Sequence, residues 1–208
     1  MIRAIVFDFG NVVGFFDHRL ASGRLAEYSE LSPDQVHAVL FGGALEEEYE
    51  SGRLTTAEFL RRLRDECKLR CSDDAIVHAY SDIFWSNPDI YNLLSELKDR
   101  YYLLLASNTT ELHARRFRRQ FADALEAFED VILSYEIGVR KPSPLFFEHC
   151  ERRAGWLATE GVFIDDLTAN VEGAQRYGWH GVVYTSVADL RLQLAALGVS
   201  TGSKETTT

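Results

Sequence analysis

Five short apolar runs, at residues 3–7, 101–106, 130–134, 161–165 and 181–185, constrain the fold of this chain more than any other feature. Each is rich in β-branched or aromatic side chains and too short for a helix, the pattern of a strand covered on both faces. Between the later runs lie stretches with helical spacing, at 111–121, 144–154, 169–177 and 187–197. Asn108 with Glu111, Ser143 before Pro144, and Ser186 with Asp189 mark their starts, because such residues satisfy or dispense with the first free N–H groups of a helix. Strands alternating with helices predict an α/β fold built on a doubly wound parallel sheet.

One interval breaks the rhythm. Residues 15–87 carry no strand pattern, only helical stretches announced by Ser32-Pro33-Asp34-Gln35, Thr55-Thr56-Ala57-Glu58 and Ser72-Asp73-Asp74. Roughly 70 residues is far more than a crossover between two strands needs. The interval therefore predicts an inserted, all-helical cap at 15–87, with the core at 1–14 and 88–199 and a flexible tail at 200–208. Glu46-Glu47-Glu48 reads as a solvated helix face. Phe15, Phe16, Phe41, Tyr49 and Trp85 read as cap core more readily than as a platform for a sugar.

Composition narrows the function. A length of 208 residues, 46% of them hydrophobic, suffices for a sizeable core, and a net charge of −10 repels polyphosphate, so no nucleic-acid partner is expected. No apolar run approaches the roughly 20 residues that cross a bilayer, so no membrane partner is expected either. The odd set Cys67, Cys71 and Cys150, with no signal peptide, predicts a reducing, cytoplasmic setting. Cys67 and Cys71 lack a second Cys/His pair and read as ordinary thiols.

Chemistry concentrates where apolar runs end. Asp8 closes the first run before Gly10 and Asn11; Ser107-Asn108 closes the second; Arg140-Lys141-Pro142 precedes a helix; and Asp165-Asp166 closes the fourth, with Asn170 beyond it. Each alone is most simply a turn or a cap. Together they fall at the carboxyl edge of one sheet, where open α/β folds bind ligands. Carboxylates gathered there repel unless a cation sits among them, and Asp8, a backbone carbonyl and one of Asp165 or Asp166 form a hard oxygen set suited to Mg²⁺. With a lysine and Ser/Asn donors beside them, such a group would neutralise a phosphoryl moiety while Asp8 attacks it, which is phosphoryl transfer through an aspartyl-phosphate.

These four motifs, in this order, resemble those of the haloacid dehalogenase (HAD) superfamily, and the insertion resembles its helical cap type. Asp8-x-Gly10-Asn11-Val12, Ser107-Asn108, Arg140-Lys141-Pro142 and the Asp165-Asp166 stretch most resemble the bacterial α-D-glucose-1-phosphate phosphatase group. The resemblance implies a Rossmann-like core and a phosphatase acting on a small phosphorylated substrate, a sugar phosphate among the candidates. It implies Asp8 as nucleophile and metal ligand, the Gly10 carbonyl as a second ligand, and Asp166 as direct carboxylate ligand. Asp165 would then hold a metal-bound water, or the two exchange roles. It implies Ser107 and Asn108 as phosphoryl binders, Lys141 as the charge balancing nucleophile and phosphate, and Asn170 as support.

One departure matters. Family phosphatases usually carry an acid two residues after the nucleophile, and this chain has Gly10. The reaction could be slower, or use Asp17, a cap side chain or solvent. Two other functions stay open on the sequence: a non-catalytic phosphometabolite-binding protein, in which Gly10 marks a decayed site, and a haloacid dehalogenase, against which the metal-binding acids speak.

Overall fold

The structure is a computed structural model and describes residues 1–202. Its elements are β1 (Ala4–Phe7), β2 (Gly14–Phe16), α1 (His18–Ala26), α2 (Pro33–Leu40), α3 (Ala44–Glu50), α4 (Thr56–Cys67), α5 (Asp73–Ser81), β3 (Phe84–Ser86), α6 (Pro88–Leu97), β4 (Tyr102–Ser107), α7 (Glu111–Gln120), α8 (Ala122–Leu125), β5 (Asp130–Leu133), α9 (Ser134–Ile137), α10 (Pro144–Ala154), β6 (Gly161–Asp165), α11 (Thr168–Tyr177), β7 (His180–Val183) and α12 (Val187–Ala196). The five expected runs form one parallel sheet in the order β5-β4-β1-β6-β7.

Alternation along the strands fills two layers. Ile5, Phe7, Leu103, Leu105 and Ile164 point to a face covered by α6, α7 and α12, whereas Val6, Leu104 and Phe163 meet Phe146, Phe147 and Cys150 of α10 on the other. Both faces are dry, which explains why the runs show no polar alternation.

Helices α1 to α5 pack around a second cluster, with Leu25, Leu40, Tyr49, Phe59, Leu63 and Tyr80 inside it and Leu112 of α7 at its border. This is the helical cap. Its starts follow the sequence closely: Ser32 with Gln35 and Thr55 with Glu58 make complete capping boxes, and Ser72 accepts from the Ala75 N–H. The helices are amphipathic and bury their apolar stripes on one another, while Glu47 and Glu48 pair outward with Arg53 and Arg62.

Three expectations need correction. The interval 15–87 does contain strand: β2 and β3 pair antiparallel, Phe15 opposite Trp85, and form a ribbon where the chain enters and leaves the cap. Three-residue strands are too short to show a period, and their contacts arise only on folding. Ser134 begins α9 rather than ending β5. Asn108 does not cap α7; Thr110 does, accepting from the His113 N–H. In the expected tail, Ser200 donates its N–H to the Tyr101 hydroxyl at 2.9 Å, and residues 203–208 lie outside the described residues. No described helix is long and apolar enough to cross a membrane.

Candidate active site

Asp8 follows the last residue of β1, its N–H donating to the Ile164 carbonyl at 2.8 Å, so that β6 holds its backbone in register. The chain then folds into a tight turn in which the N–H groups of Val13 and Gly14 both donate to the Phe9 carbonyl, at 2.9 Å each. Asn11 adopts φ 56°, a left-handed conformation that asparagine tolerates better than most residues. This turn carries Gly10 and Asn11 back beside Asp8. The Asn11 side chain donates to Asp166 Oδ2 at 3.0 Å.

Lys141 comes from the loop after α9 and is buried, 4% exposed. Its Nζ donates to Asp8 Oδ1 and Asp165 Oδ2 at 2.7 Å each and to the Ala106 carbonyl at 2.9 Å, which uses all three of its protons. Asn108, at the end of β4, accepts from the Lys141 N–H at 2.8 Å and donates to its carbonyl at 3.0 Å. The Asn108 amide is thus committed to the lysine loop, and the hydroxyl of Ser107 lies beside it, near the Asn108 carbonyl at 3.3 Å.

Asp165 is fully buried and satisfied on every side, by Lys141, by the Leu167 N–H at 2.9 Å, and by the Asn170 amide at 3.0 and 3.1 Å. Asp166 is half-buried and faces the same space. One carboxylate oxygen each from Asp8, Asp165 and Asp166 lie within 4.8 Å of one another. Thus all eight residues singled out in the sequence fall on one edge of the sheet, around the ends of β1, β4 and β6.

The electrostatics are unbalanced. Burial, opposed by Lys141 and reinforced by Asp165, raises the Asp8 carboxyl well above the usual carboxylate range. Burial also raises Asp166, with Asn11 working against it. Lys141, despite burial, is held above its ordinary value by Asp165 and Asp8. One ammonium therefore faces three carboxylates, and the surplus negative charge in a confined site is what a divalent cation with oxygen ligands would relieve. The donor set fits Mg²⁺.

Sequence reasoning missed several contributors because they act across the fold. Asn11 was only part of a motif, yet it orients Asp166. Glu50, two residues past the acidic run, is buried and pairs with Arg140 at 2.7 Å, joining cap to lysine loop. Next to it, Gly52 at φ 65° sits so close to α9 that a Cβ would stand 2.2 Å from the Tyr135 carbonyl oxygen. On the other side of the cap, Tyr80 stacks on His113 of α7 at 4.3 Å. Asp17, considered as a substitute acid, is exposed and accepts from the Arg19 N–H as the N-cap of α1.

A cavity of about 370 Å³ opens beside Asn11 and Asp166, lined also by Phe15, Asn87 and Tyr184. A wider one of about 600 Å³ lies at the opposite edge of the sheet, between Arg3, Lys98, Tyr101 and Trp156, away from the acidic cluster.

Comparison with known proteins agrees with this geometry. A family model described as "haloacid dehalogenase-like hydrolase" matches residues 2–178. The chain is 24% identical over 204 residues to D-ribitol-5-phosphate phosphatase of Bacteroides thetaiotaomicron, covering 95% of this chain and 98% of that protein. It is 27% identical over 200 residues to glyceraldehyde 3-phosphate phosphatase of Methanopyrus kandleri, covering 86% and 82%. Among solved structures, a HAD family enzyme of Bacteroides thetaiotaomicron, a variant in complex with magnesium and inorganic phosphate, superposes with a TM-score of 0.82 at 24% identity, covering 92% of this chain and 99% of that one.

Proposed function

The chain belongs to the haloacid dehalogenase-like hydrolases, and from that membership we propose that it is a Mg²⁺-dependent phosphatase hydrolysing a small phosphorylated metabolite, a sugar or polyol phosphate, through an aspartyl-phosphate on Asp8. The observation that carries this reading is the bridge from Lys141 Nζ to Asp8 and Asp165, at 2.7 Å each, with Asp166 in the same cluster. A haloacid dehalogenase needs no cation and has no use for this gathering of acids. A decayed binding site has no physical reason to keep them opposed to a buried lysine.

Asp8, the Gly10 carbonyl and Asp166 would hold the ion, with Asp165 at second remove because its oxygens are already engaged. The ion would neutralise phosphoryl oxygens and so let an anionic substrate approach. Lys141 holds Asp8 Oδ1, which leaves Oδ2 to form the bond to phosphorus as the bond to the departing oxygen breaks. Ser107 and the turn after it would bind the transferring group, with Lys141 offsetting its charge. Water then attacks phosphorus, the bond to Asp8 breaks, and inorganic phosphate leaves. Asn170 fixes Asp165. Residues 15–87 would act as the cap over a core of 1–14 and 88–199, meeting the leaving group.

The relatives named for ribitol 5-phosphate and glyceraldehyde 3-phosphate support small, open-chain or sugar-like phosphates as the class. A phosphate-release screen across sugar phosphates, polyol phosphates, triose phosphates and nucleotides, with Mg²⁺ and with excess chelator, tests the proposal. Metal-dependent release from the first three groups is expected. Release undiminished by chelator, or none from any substrate, would overturn it.

A further inference from the structure

We propose that, for an ester whose leaving group needs no acid, hydrolysis of phosphorylated Asp8, rather than its formation, limits turnover, and that the ring of Phe16 is the cause. The inference rests on the aspartyl-phosphate reading above and extends it to the order of the rates.

An aromatic ring crowds the space next to Gly10, beside Asp8. Asp8 Oδ2 lies 3.6 Å from the point where a side chain on Gly10 would begin, and that same point is 2.7 Å from Phe16 Cε1, closer than packed carbon atoms approach. The space beside Asp8 that a proton-carrying side chain at position 10 would enter is therefore filled by Phe16. The ring is not a loose end. Phe16 pairs with Phe84 in the ribbon, and its ring lies 4.8 Å from that of His18 and 6.2 Å from that of Phe84.

The polar groups nearby do not replace the missing one. Lys141 has donated all three protons and stays charged; Asp165 is saturated by Lys141, Leu167 and Asn170; and Asp166 is tied to Asn11. His18 lies behind Phe16, stacked on Phe41 at 3.9 Å, and its burial makes it a weak base. Asp17 faces solvent.

The two half-reactions feel this differently. In the first, the Asp8 Oδ2–P bond forms, the P–O bond of the ester breaks, and the departing oxygen keeps the electron pair and takes a proton from solvent. An ester with a stable leaving anion needs no help there. In the second, the oxygen of water bonds to phosphorus, the pair in the P–Oδ2 bond returns to Asp8, and the proton of water must pass to phosphate or solvent. A positioned base typically speeds such a step about 10²- to 10⁴-fold, and here an apolar edge stands in its place.

Rapid-quench kinetics with p-nitrophenyl phosphate and Mg²⁺ test the order of the rates, because its leaving group needs no acid. The expected result is a burst of p-nitrophenol approaching one per chain, then a slower steady rate that phosphate release follows from the outset. Protein quenched in acid during turnover should carry a hydroxylamine-labile phosphoryl group. Phe16→Ala should shrink the burst and raise the steady rate severalfold, and Phe16→Leu should do so less. p-Nitrophenol and phosphate appearing linearly and in step from the first turnover would overturn the inference, whether or not either variant folds. A burst that folded Phe16→Ala leaves unchanged would overturn the role of the ring. Absence of both products would instead bring down the aspartyl-phosphate reading, and this inference with it.

Discussion

Asn108 grips Lys141 by the backbone, its side-chain amide accepting from the lysine N–H at 2.8 Å and donating to the lysine carbonyl at 3.0 Å. The end of β4 and the loop after α9 are thereby locked together at the residue whose ammonium bridges two carboxylates. An asparagine suits this because only a primary amide presents one acceptor and one donor side by side.

Asn108→Ala should therefore act mainly on turnover. Lys141 would lose its fixed backbone, and a displacement of that kind is expected to lower kcat about tenfold to a hundredfold. Steady-state kinetics with the best substrate of the screen would check it; an unchanged kcat would show that the lysine is positioned by its other contacts alone.

If Asp8 is the nucleophile, Asp8→Asn removes the attacking oxygen while keeping size, and phosphate release should fall at least about 10³-fold. The variant removes one of three crowded carboxylates, so without metal it should be no less stable than the wild type. Fluorine NMR with beryllium fluoride and Mg²⁺ should show the aspartyl-phosphate mimic on the wild type only. A mimic bound equally by the variant would place the nucleophile elsewhere.

Lys141→Ala is expected to cost stability as well as activity. Its ammonium is buried between Asp8 and Asp165, with side-chain exposures of 1%, 11% and 0% respectively. Taking the cation away leaves two buried carboxylates opposed, a loss of about 3–5 kcal/mol. Mg²⁺, binding only the folded form, should restore part of it. Urea unfolding with and without Mg²⁺ measures both effects; a variant as stable as the wild type in chelator would contradict the buried bridge.

His113 gives the fold a defined response to acid. Its Nε2 meets the Tyr80 carbonyl at 3.1 Å in a buried site, and burial lowers the imidazole from 6.5 to about 3. Below pH 6.5 the unfolded chain takes up a proton that the folded one refuses. The contribution is thus complete above that pH and is lost as pH falls toward 3, by up to about 1.4 kcal/mol per unit. His113→Phe keeps the stack on Tyr80 but cannot titrate, so urea midpoints at about pH 7.5 and about pH 5 should differ less in the variant. Equal differences would exclude His113 as the source.

The core was legible because burial on both sheet faces forces uninterrupted apolar runs, and the end of such a run marks the carboxyl edge; β6 begins and ends where its sequence predicts. Lys141 was legible as a charge but not as a buried one, since Asp165 and Ala106, which enclose it, are distant in sequence. Asn108 was misread because an asparagine before a helix has an ordinary use as a cap, and its actual partner stands 33 residues away. Glu50 and Phe16 left no local signal. A buried acid looks like its exposed neighbours until Arg140 is folded against it, and a phenylalanine beside a glycine shows nothing of the space it takes.

The ribbon of β2 and β3 ties the two chain crossings of the cap to each other, and Phe16 is part of it. A lid hung on two separate strings could twist freely; one hung on a single strap tips about one line and carries whatever is fastened to the strap. Phe16 is fastened there. Any tipping of the cap about this strap would carry the Phe16 ring with it and so reshape the space next to Gly10 and Asp8 that the ring now fills.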